Sequence, residues 1–402
     1  MLTSHGLFAE RFILRQWRHL RKSGRRLGGL LVAAPAAILL AQAGHAAEGG
    51  LYRSSAGHRF RLVEVALGLK NPWSVAFLPD GAMLVTERDG RLRVVRGGKL
   101  QKEPLGGTPK VLARGQGGLL DIALHPEFPS NGLIYLSYSA AGAGGANTAV
   151  MRAKLTGDRL ENPQVIFEAR PKTGGENHYG SRLLFAADGT LFITLGDRFT
   201  YRDEAQNTAN HLGKVVRIND DGSVPKDNPF VGTSGAMPEI YSYGHRNSQG
   251  IALRPGTSEI WQHEHGPRGG DEVNLLKPGA NYGWPKITYG IDYSGAIISD
   301  KKALPGMEQP VVYWVPSIAP SGMAFYQGDK FPKWKGDLFV GALAKTHLRR
   351  LRLDGAKVVE QEELLAGLDE RIRDVRAGPD GFLYVVTEDS SNGRVLRLEP
   401  AD

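Results

Sequence analysis

Residues 181–197 read "SRLLFAADGTLFITLGD". An apolar run, a turn built on Asp188-Gly189, and a second apolar run make a hairpin: strand-forming residues flank a dipeptide suited to a tight reversal. The pattern recurs. It appears as "SVAFLPDGAMLVTERDGRLRVV" from Ser74, "DIALHPEFPSNGLIYLSYS" from Asp121 and "GIALRPGTSEIWQHEHG" from Gly250. It returns as "GMAFYQGDKFPKWKGDLFVGAL" from Gly322 and "RDVRAGPDGFLYVVTEDSSNGRVLRL" from Arg373. Six short antiparallel units, with no long amphipathic helix between them, cannot each bury a face alone. Radial packing solves that problem, so the sequence predicts an all-β fold, a six-bladed β-propeller. A β-sandwich pair is the alternative, but it does not account for six copies of one unit. Long insertions near 199–245 and 267–320 suit a propeller whose loops build a site on one face.

The 402 residues exceed the usual single-core size, and a closed ring is one way for a single domain to reach that length. The first 46 residues stand apart. Their basic start, the apolar stretch from Leu27 to about Ala43 and the small residues after it form a targeting segment of the exported type. Gly28, Gly29 and Pro35 break the apolar run, which argues against a stable membrane span in the mature form. A retained anchor is the alternative. The expected location is the periplasm, and the pair Arg25-Arg26 leaves the Sec and twin-arginine routes both open. Residues 47–402 are then one propeller domain.

Seven Arg/Lys and one acid, Glu10, lie in residues 1–46, so six of the eight net positive charges leave with that segment. The remaining +2 gives no reason to expect a nucleic-acid partner. There is no cysteine, which excludes disulfides, thiolate metal sites and cysteine nucleophiles.

Five stretches carry residues suited to chemistry. In "GQGGLLDIALHP" (115–126) Gln116 sits in a glycine-rich turn, which structural need alone would explain. "NHYGSRLLF" places His178 before one strand, and "ITLGD" places Asp197 after its hairpin partner. The two ends lie near one another, and a carboxylate beside an imidazole orients it and raises its basicity, as a general base requires. The other reading of His178 is a hydrogen-bonded structural residue. "YSYGHRNSQGIALRP" (241–255) supplies Arg246 and Asn247, a guanidinium and an amide suited to a planar anion or to loop carbonyls. "EHGPRGGDEVNLLKPGANYGWP" (264–285) offers the backbone oxygens of Gly266-Pro267 with Asp271, Glu272 and a tyrosine downstream, a donor set suited to a hard cation such as calcium. In "ERIRDVRAGPDG" (370–381) Arg371 and Arg373 face one side of an extended strand and can clamp a polycarboxylate, or form a solvated basic face; Lys345 is placed to join them.

Taken in order, "NPWSVAFLPDG", "GQGGLLDIALHP", "NHYGSRL…GD", "NHLGKVVRINDDGSVPKDNPF", "GHRNSQGIA", "GPRGGDEVNLLKPGANYGWP", "IAPSGMAFY" and "RIRDVRAGPDG" resemble the soluble PQQ-dependent glucose and aldose sugar dehydrogenases, the glucose/sorbosone dehydrogenase family. The likeness runs from about Asn71 to Leu398, and "GDRFTYRDEAQNTANHLGKVVRI" is closer to the aldose sugar dehydrogenase branch. The resemblance implies a six-bladed propeller carrying pyrroloquinoline quinone (PQQ) and Ca2+, which oxidises aldose sugars at C1 to lactones and passes electrons to an unidentified acceptor. It implies His178 as the base, Asp197 as its orienting carboxylate and Gln116, with His178, as sugar contacts. Arg246 would stabilise charge on the quinone. Asn247, Ser317, Lys345, Arg371 and Arg373 would bind the cofactor. Gly266 and Pro267 would hold the active-site calcium, and Glu272 and Tyr282 a second, structural one. The loop after Asp197 departs from the glucose enzyme's longer loop, so a sugar-contacting glutamine there has no counterpart. The alignment slips by one residue around Lys345, and the aromatic sugar platform near Tyr313 and Trp314 does not align securely. Competing readings are a calcium-dependent sugar-lactone hydrolase and a non-catalytic binding propeller. The sequence does not choose between monomer and homodimer.

Overall fold

The computed structural model describes residues 50–401 and the short strand Gln42–Ala43. Apart from that strand, which pairs in parallel with Glu362–Glu363, the expected targeting segment lies outside the described residues. Among the described residues no helix is long and apolar enough to cross a membrane.

Six sheets follow one another along the chain. Blades one to five have innermost strands at Pro72–Phe77, Leu119–Leu124, Leu183–Phe185, Ser248–Leu253 and Pro320–Phe325, and blade six has Arg371–Ala377. Each innermost strand packs on the next, and the sixth returns to the first, so the expected six-bladed propeller is closed. All six quoted repeats are blades. Local chemistry makes their hairpins. In blades one, three and six the "PDG", "ADG" and "PDG" turns place Gly81, Gly189 and Gly381 at φ of 80–83°, where a side chain would be strained. The preceding aspartate accepts the N–H two residues on: Ala82 to Asp80 at 2.9 Å, Thr190 to Asp188 at 3.0 Å and Phe382 to Asp380 at 3.2 Å.

One hydrophobic cluster fills each gap between neighbouring blades. Leu84 and Leu92 meet Leu119 and Leu136 between blades one and two, for example, and Trp261 meets Phe325 and Leu338 between four and five. Burying each such side chain stabilises by about 1.5–3 kcal/mol, and only a neighbour can provide the opposite wall. The strand Arg59–Leu69 pairs antiparallel with Gly393–Pro400, so the N-terminal segment supplies the outer part of blade six and ties the ring. Phe60 anchors it, packing against Phe331 and Trp334. Closure over so long a stretch costs little more than closure over a short one, because loop entropy grows only logarithmically.

The innermost strands are sheet edges with unpaired backbone groups, and polar side chains from neighbouring blades satisfy them. Asp121 accepts the Leu183 N–H at 2.8 Å and Asp374 the Val75 N–H at 3.2 Å. Hydroxyls of Thr86, Ser137 and Thr194 donate to carbonyls of Leu120, Ser181 and Ser248 in the next blade at 2.6, 2.6 and 2.9 Å. Buried Arg182 bridges to Asp374 at 2.8 Å, and Arg376 joins Asp374 to Asp121 at 2.9 and 2.7 Å.

Five innermost strands begin with a register shift, at Pro72/Ser74, Leu119/Ile122, Ser248/Gly250, Pro320/Met323 and Ile372/Asp374. In blade three the same place is taken by His178 and Ser181 in left-handed backbone. Such irregularities re-aim side chains at a sheet's end. Here all six lie where innermost strands start, which gathers the candidate residues at one mouth of the ring.

Candidate active site

His178 is 5% exposed, with φ of 55°. Its backbone N–H donates to Gln116 Oε1 at 2.8 Å, which fixes the imidazole's base to the loop of blade two. Nδ1 lies 2.6 Å from Asp197 Oδ1. Among the described residues Nε2 has no hydrogen-bond partner. Asp197 is fully buried; Oδ1 also accepts the Phe199 N–H at 2.8 Å and Oδ2 the Trp284 indole N–H at 2.8 Å. Burial pushes the Asp197 carboxyl up, but His178, Arg246 and the Phe199 N–H outweigh it, so the carboxyl lies below its usual range. Burial, then the charge of Arg246, hold the His178 pKa below its ordinary value despite Asp197. A neutral ring, Nδ1–H donating to a fixed carboxylate and Nε2 unoccupied, has the protonation state of a base ready to accept.

Arg246 is buried, and Nη1 donates to the carbonyls of His265 at 3.1 Å and Gly266 at 2.8 Å. Its N–H donates to Glu264, whose other oxygen meets His245 at 3.0 Å. Asn247 Oδ1 accepts from the Gly180 N–H at 3.2 Å, leaving its amide nitrogen without a partner among the described residues. Across the mouth, Arg371 Nε and Arg373 Nη2 both end on Glu388 Oε2, at 3.0 and 2.8 Å. Arg88 adds its charge to the same group. Two guanidiniums thus end on one carboxylate oxygen, within the field of a third. Arg373 is buried with its Nε unpartnered, and burial lowers its pKa to about 10. Lys345 is exposed on the adjoining loop.

The other candidates fall into place differently. Ser317 gives its hydroxyl to Asp271, which also accepts the N–H groups of Gly266, Ile318 and Ala319. Asp271 therefore staples two mouth loops together, and burial raises its pKa to about 6. Tyr282 spends its phenol on the Leu275 carbonyl and the Lys277 N–H, at 2.7 and 2.9 Å, and stacks on His245. Only its backbone oxygen is left to serve a cation. Glu272 lines a cleft with Glu264, Gly266 and Tyr282; burial, then the charge of Glu264, push its carboxyl well above the usual range.

The donor chemistry fits the groups that the resemblance implies. Arg371 and Arg373, with Arg88 acting on the same carboxylate, carry more positive charge than Glu388 neutralises, as a polycarboxylate requires. Pro267 is buried, and its carbonyl accepts no hydrogen bond from any described residue. Glu272 has only one long bond, 3.4 Å from Asn274. Both suit a hard cation held largely by backbone oxygen. Among the described residues no cluster of three or more His, Asp or Glu forms a metal site by side chains alone.

Sequence reasoning missed Trp284, Glu388, Arg88 and Phe199. Trp284 and Asp197 are 87 positions apart, so spacing gave no signal for that contact. Glu388 is the strand partner of Arg371 in the blade-six hairpin, where the hairpin logic that pairs His178 with Asp197 also applies.

The glucose/sorbosone dehydrogenase profile matches residues 69–397. The chain is 48% identical over 338 residues to aldose sugar dehydrogenase YliI of Escherichia coli (strain K12), covering 83% of this chain and 91% of that protein. The crystal structure of the soluble aldose sugar dehydrogenase from Escherichia coli in the apo-form superposes with a TM-score of 0.83 at 45% identity, over 85% of this chain and 100% of that one. The PQQ-bound form of aldose sugar dehydrogenase from Streptomyces coelicolor gives 0.70 at 30% identity, over 85% and 98%. The chain belongs to the glucose/sorbosone dehydrogenase family.

Proposed function

We propose that this protein is a periplasmic quinoprotein that oxidises aldose sugars at C1 to lactones, with PQQ and calcium as cofactors. The observation that carries the reading is the His178–Asp197 pair, buried at 2.6 Å with Nε2 unoccupied, at the same mouth as two guanidiniums that end on one carboxylate oxygen. Bound at that mouth, PQQ would supply a two-electron, hydride-accepting quinone and calcium a Lewis acid beside it. The chain's own residues do the rest. His178 Nε2 accepts the C1 hydroxyl proton, while Asp197 and Trp284 keep the ring and carboxylate from turning. Gln116, tied to the His178 backbone through Oε1, keeps its amide nitrogen for a sugar oxygen. Arg246, held on the carbonyls of His265 and Gly266, would bring its positive charge to bear on the negative charge that develops on the quinone. Arg371, Arg373 and Lys345 would hold the carboxylates of PQQ, and Asn247 would contribute its amide. Gly266, whose carbonyl also accepts from Arg246 Nη1, and Pro267 would supply oxygens to one calcium, and Glu272 and the Tyr282 backbone to a second. The named relatives support the same reading, one of them described as PQQ-bound.

The test is reconstitution of apo-protein with PQQ and calcium, followed by bleaching of an artificial electron acceptor with glucose and other aldoses present. Sugar-dependent bleaching that needs PQQ is the expected result. Lactone hydrolysis without PQQ, and no bleaching, would replace this reading with that of a calcium-dependent hydrolase.

A further inference from the structure

Phe199 is 42% exposed, although it lies two residues beyond a fully buried aspartate. Arg198 and Phe199 have φ of 59° and 68°, two successive non-glycine residues in left-handed backbone. Strain of this kind persists only where surrounding contacts over-determine it, and it gathers at functional sites. The contacts are specific. Arg198 lies 3.6 Å over the Tyr179 ring and donates to the carbonyls of Asn177 and Gly175. The Phe199 N–H ends on Asp197 Oδ1, the same oxygen that meets His178 Nδ1. One carboxylate oxygen therefore fixes both the imidazole and the phenyl ring, whose centroids are 5.1 Å apart, edge to face at 77°. Tyr293, from a loop almost a hundred residues away, stacks on Phe199 at 6.3 Å and 24° and is itself 45% exposed. Its ring centroid lies 5.9 Å from the Arg246 guanidinium. The two rings form one wall from His178 to Arg246. Of the ten exposed large hydrophobic side chains among the described residues, five fall in these two loops: Phe199, Tyr201, Ile291, Tyr293 and Ile297.

His178 and Tyr293 cover only part of the Phe199 ring, and 42% of the residue stays open toward the mouth for a ligand. A pyranose presents an apolar C–H face and a rim of hydroxyls. A flat apolar ring beside an unoccupied imidazole nitrogen and a free amide matches both at once. We infer that Phe199, backed by Tyr293, is the substrate-stacking surface for the aldopyranose, a subsite that also sets which sugars reach His178. This rests on the sugar oxidation proposed above.

The experiment compares wild type, Phe199→Ala, Phe199→Leu, Phe199→Trp and Tyr293→Ala after reconstitution with PQQ and calcium. Readouts are KM and kcat for several aldoses and PQQ affinity by calorimetry. Phe199→Ala should raise KM about tenfold or more, with kcat falling about threefold at most and PQQ affinity within about threefold of wild type. Phe199→Trp should keep KM near wild type, Phe199→Leu should recover only part of it, and Tyr293→Ala should lie between. The inference is overturned by an unchanged KM in Phe199→Ala, by full recovery in Phe199→Leu, or by PQQ affinity falling as far as KM rises. An active wild type with an unchanged Phe199→Ala refutes the subsite alone, whereas a wild type that oxidises no aldose refutes the proposed function and this subsite with it.

Discussion

Glu388 Oε2 accepts from Arg373 Nη2 at 2.8 Å, and this contact holds one of the most deeply buried cations of the mouth in place. Burial pushes the Glu388 carboxyl up, but Arg373, Arg371 and Arg88 together hold it at about 2. A carboxyl lowered on folding stabilises above its unfolded value, about 4.3, and that contribution fades as pH falls toward 2. Urea denaturation of wild type should therefore show stability declining through this window, and Glu388→Gln should flatten the decline. At neutral pH the same change strands Arg373, costing about 3–5 kcal/mol if it behaves as a broken buried pair. Citrate, a tricarboxylate, should restore part of that loss.

His178→Gln keeps the size and polarity of the side chain but removes the base. General-base catalysis contributes about 10²–10⁴-fold, so turnover of the reconstituted enzyme should fall at least about a hundredfold. PQQ affinity, measured by calorimetry, should stay near wild type. Near-normal turnover would remove His178 from the role.

The pH profile of kcat/KM tests the electrostatics of that ring. Burial and Arg246 lower the His178 pKa, so the acidic limb should lie below the ordinary histidine value of about 6.5. Arg246→Gln removes a charge that disfavours the imidazolium, so its limb should move to higher pH. The position of the limb is the readout, since the height also reflects other losses at the mouth.

Calcium that binds the folded protein and not the unfolded one stabilises it by mass action, about 2.7 kcal/mol at a hundredfold excess over Kd. Adding calcium after chelation should raise Tm. Glu272→Gln should shrink that rise, because Glu272, with one long bond from Asn274, is the least engaged carboxyl of the cleft.

The central network predicts a stability effect unconnected with catalysis. Asp374 meets Arg182 at 2.8 Å and Arg376 at 2.9 Å and caps the Val75 N–H. Asp374→Asn leaves the buried Arg182 and the half-buried Arg376 short of charge and should cost about 3–5 kcal/mol in denaturant unfolding. Loss below about 1 kcal/mol would mean that the remaining Arg376–Asp121 pair carries the network.

The sequence by itself determined the blades. A Pro/Asp/Gly turn between strand-forming runs is local chemistry, readable because Gly81, Gly189 and Gly381 adopt φ values that few other residues tolerate and each aspartate bonds two residues on. Six copies fixed the ring, since none can bury a face alone. His178 and Asp197 were legible as a pair for the same reason: one hairpin brings both ends together. Only the tertiary structure decided the rest. The strand Arg59–Leu69 closes blade six through pairing with residues at the far end of the chain, and no local pattern marks such a partner. Trp284 on Asp197 and Tyr293 against Phe199 join different blades or distant loops at one mouth. Their meeting depends on radial packing and on the irregular strand starts that turn side chains toward the axis, which is a property of the closed ring and not of any segment.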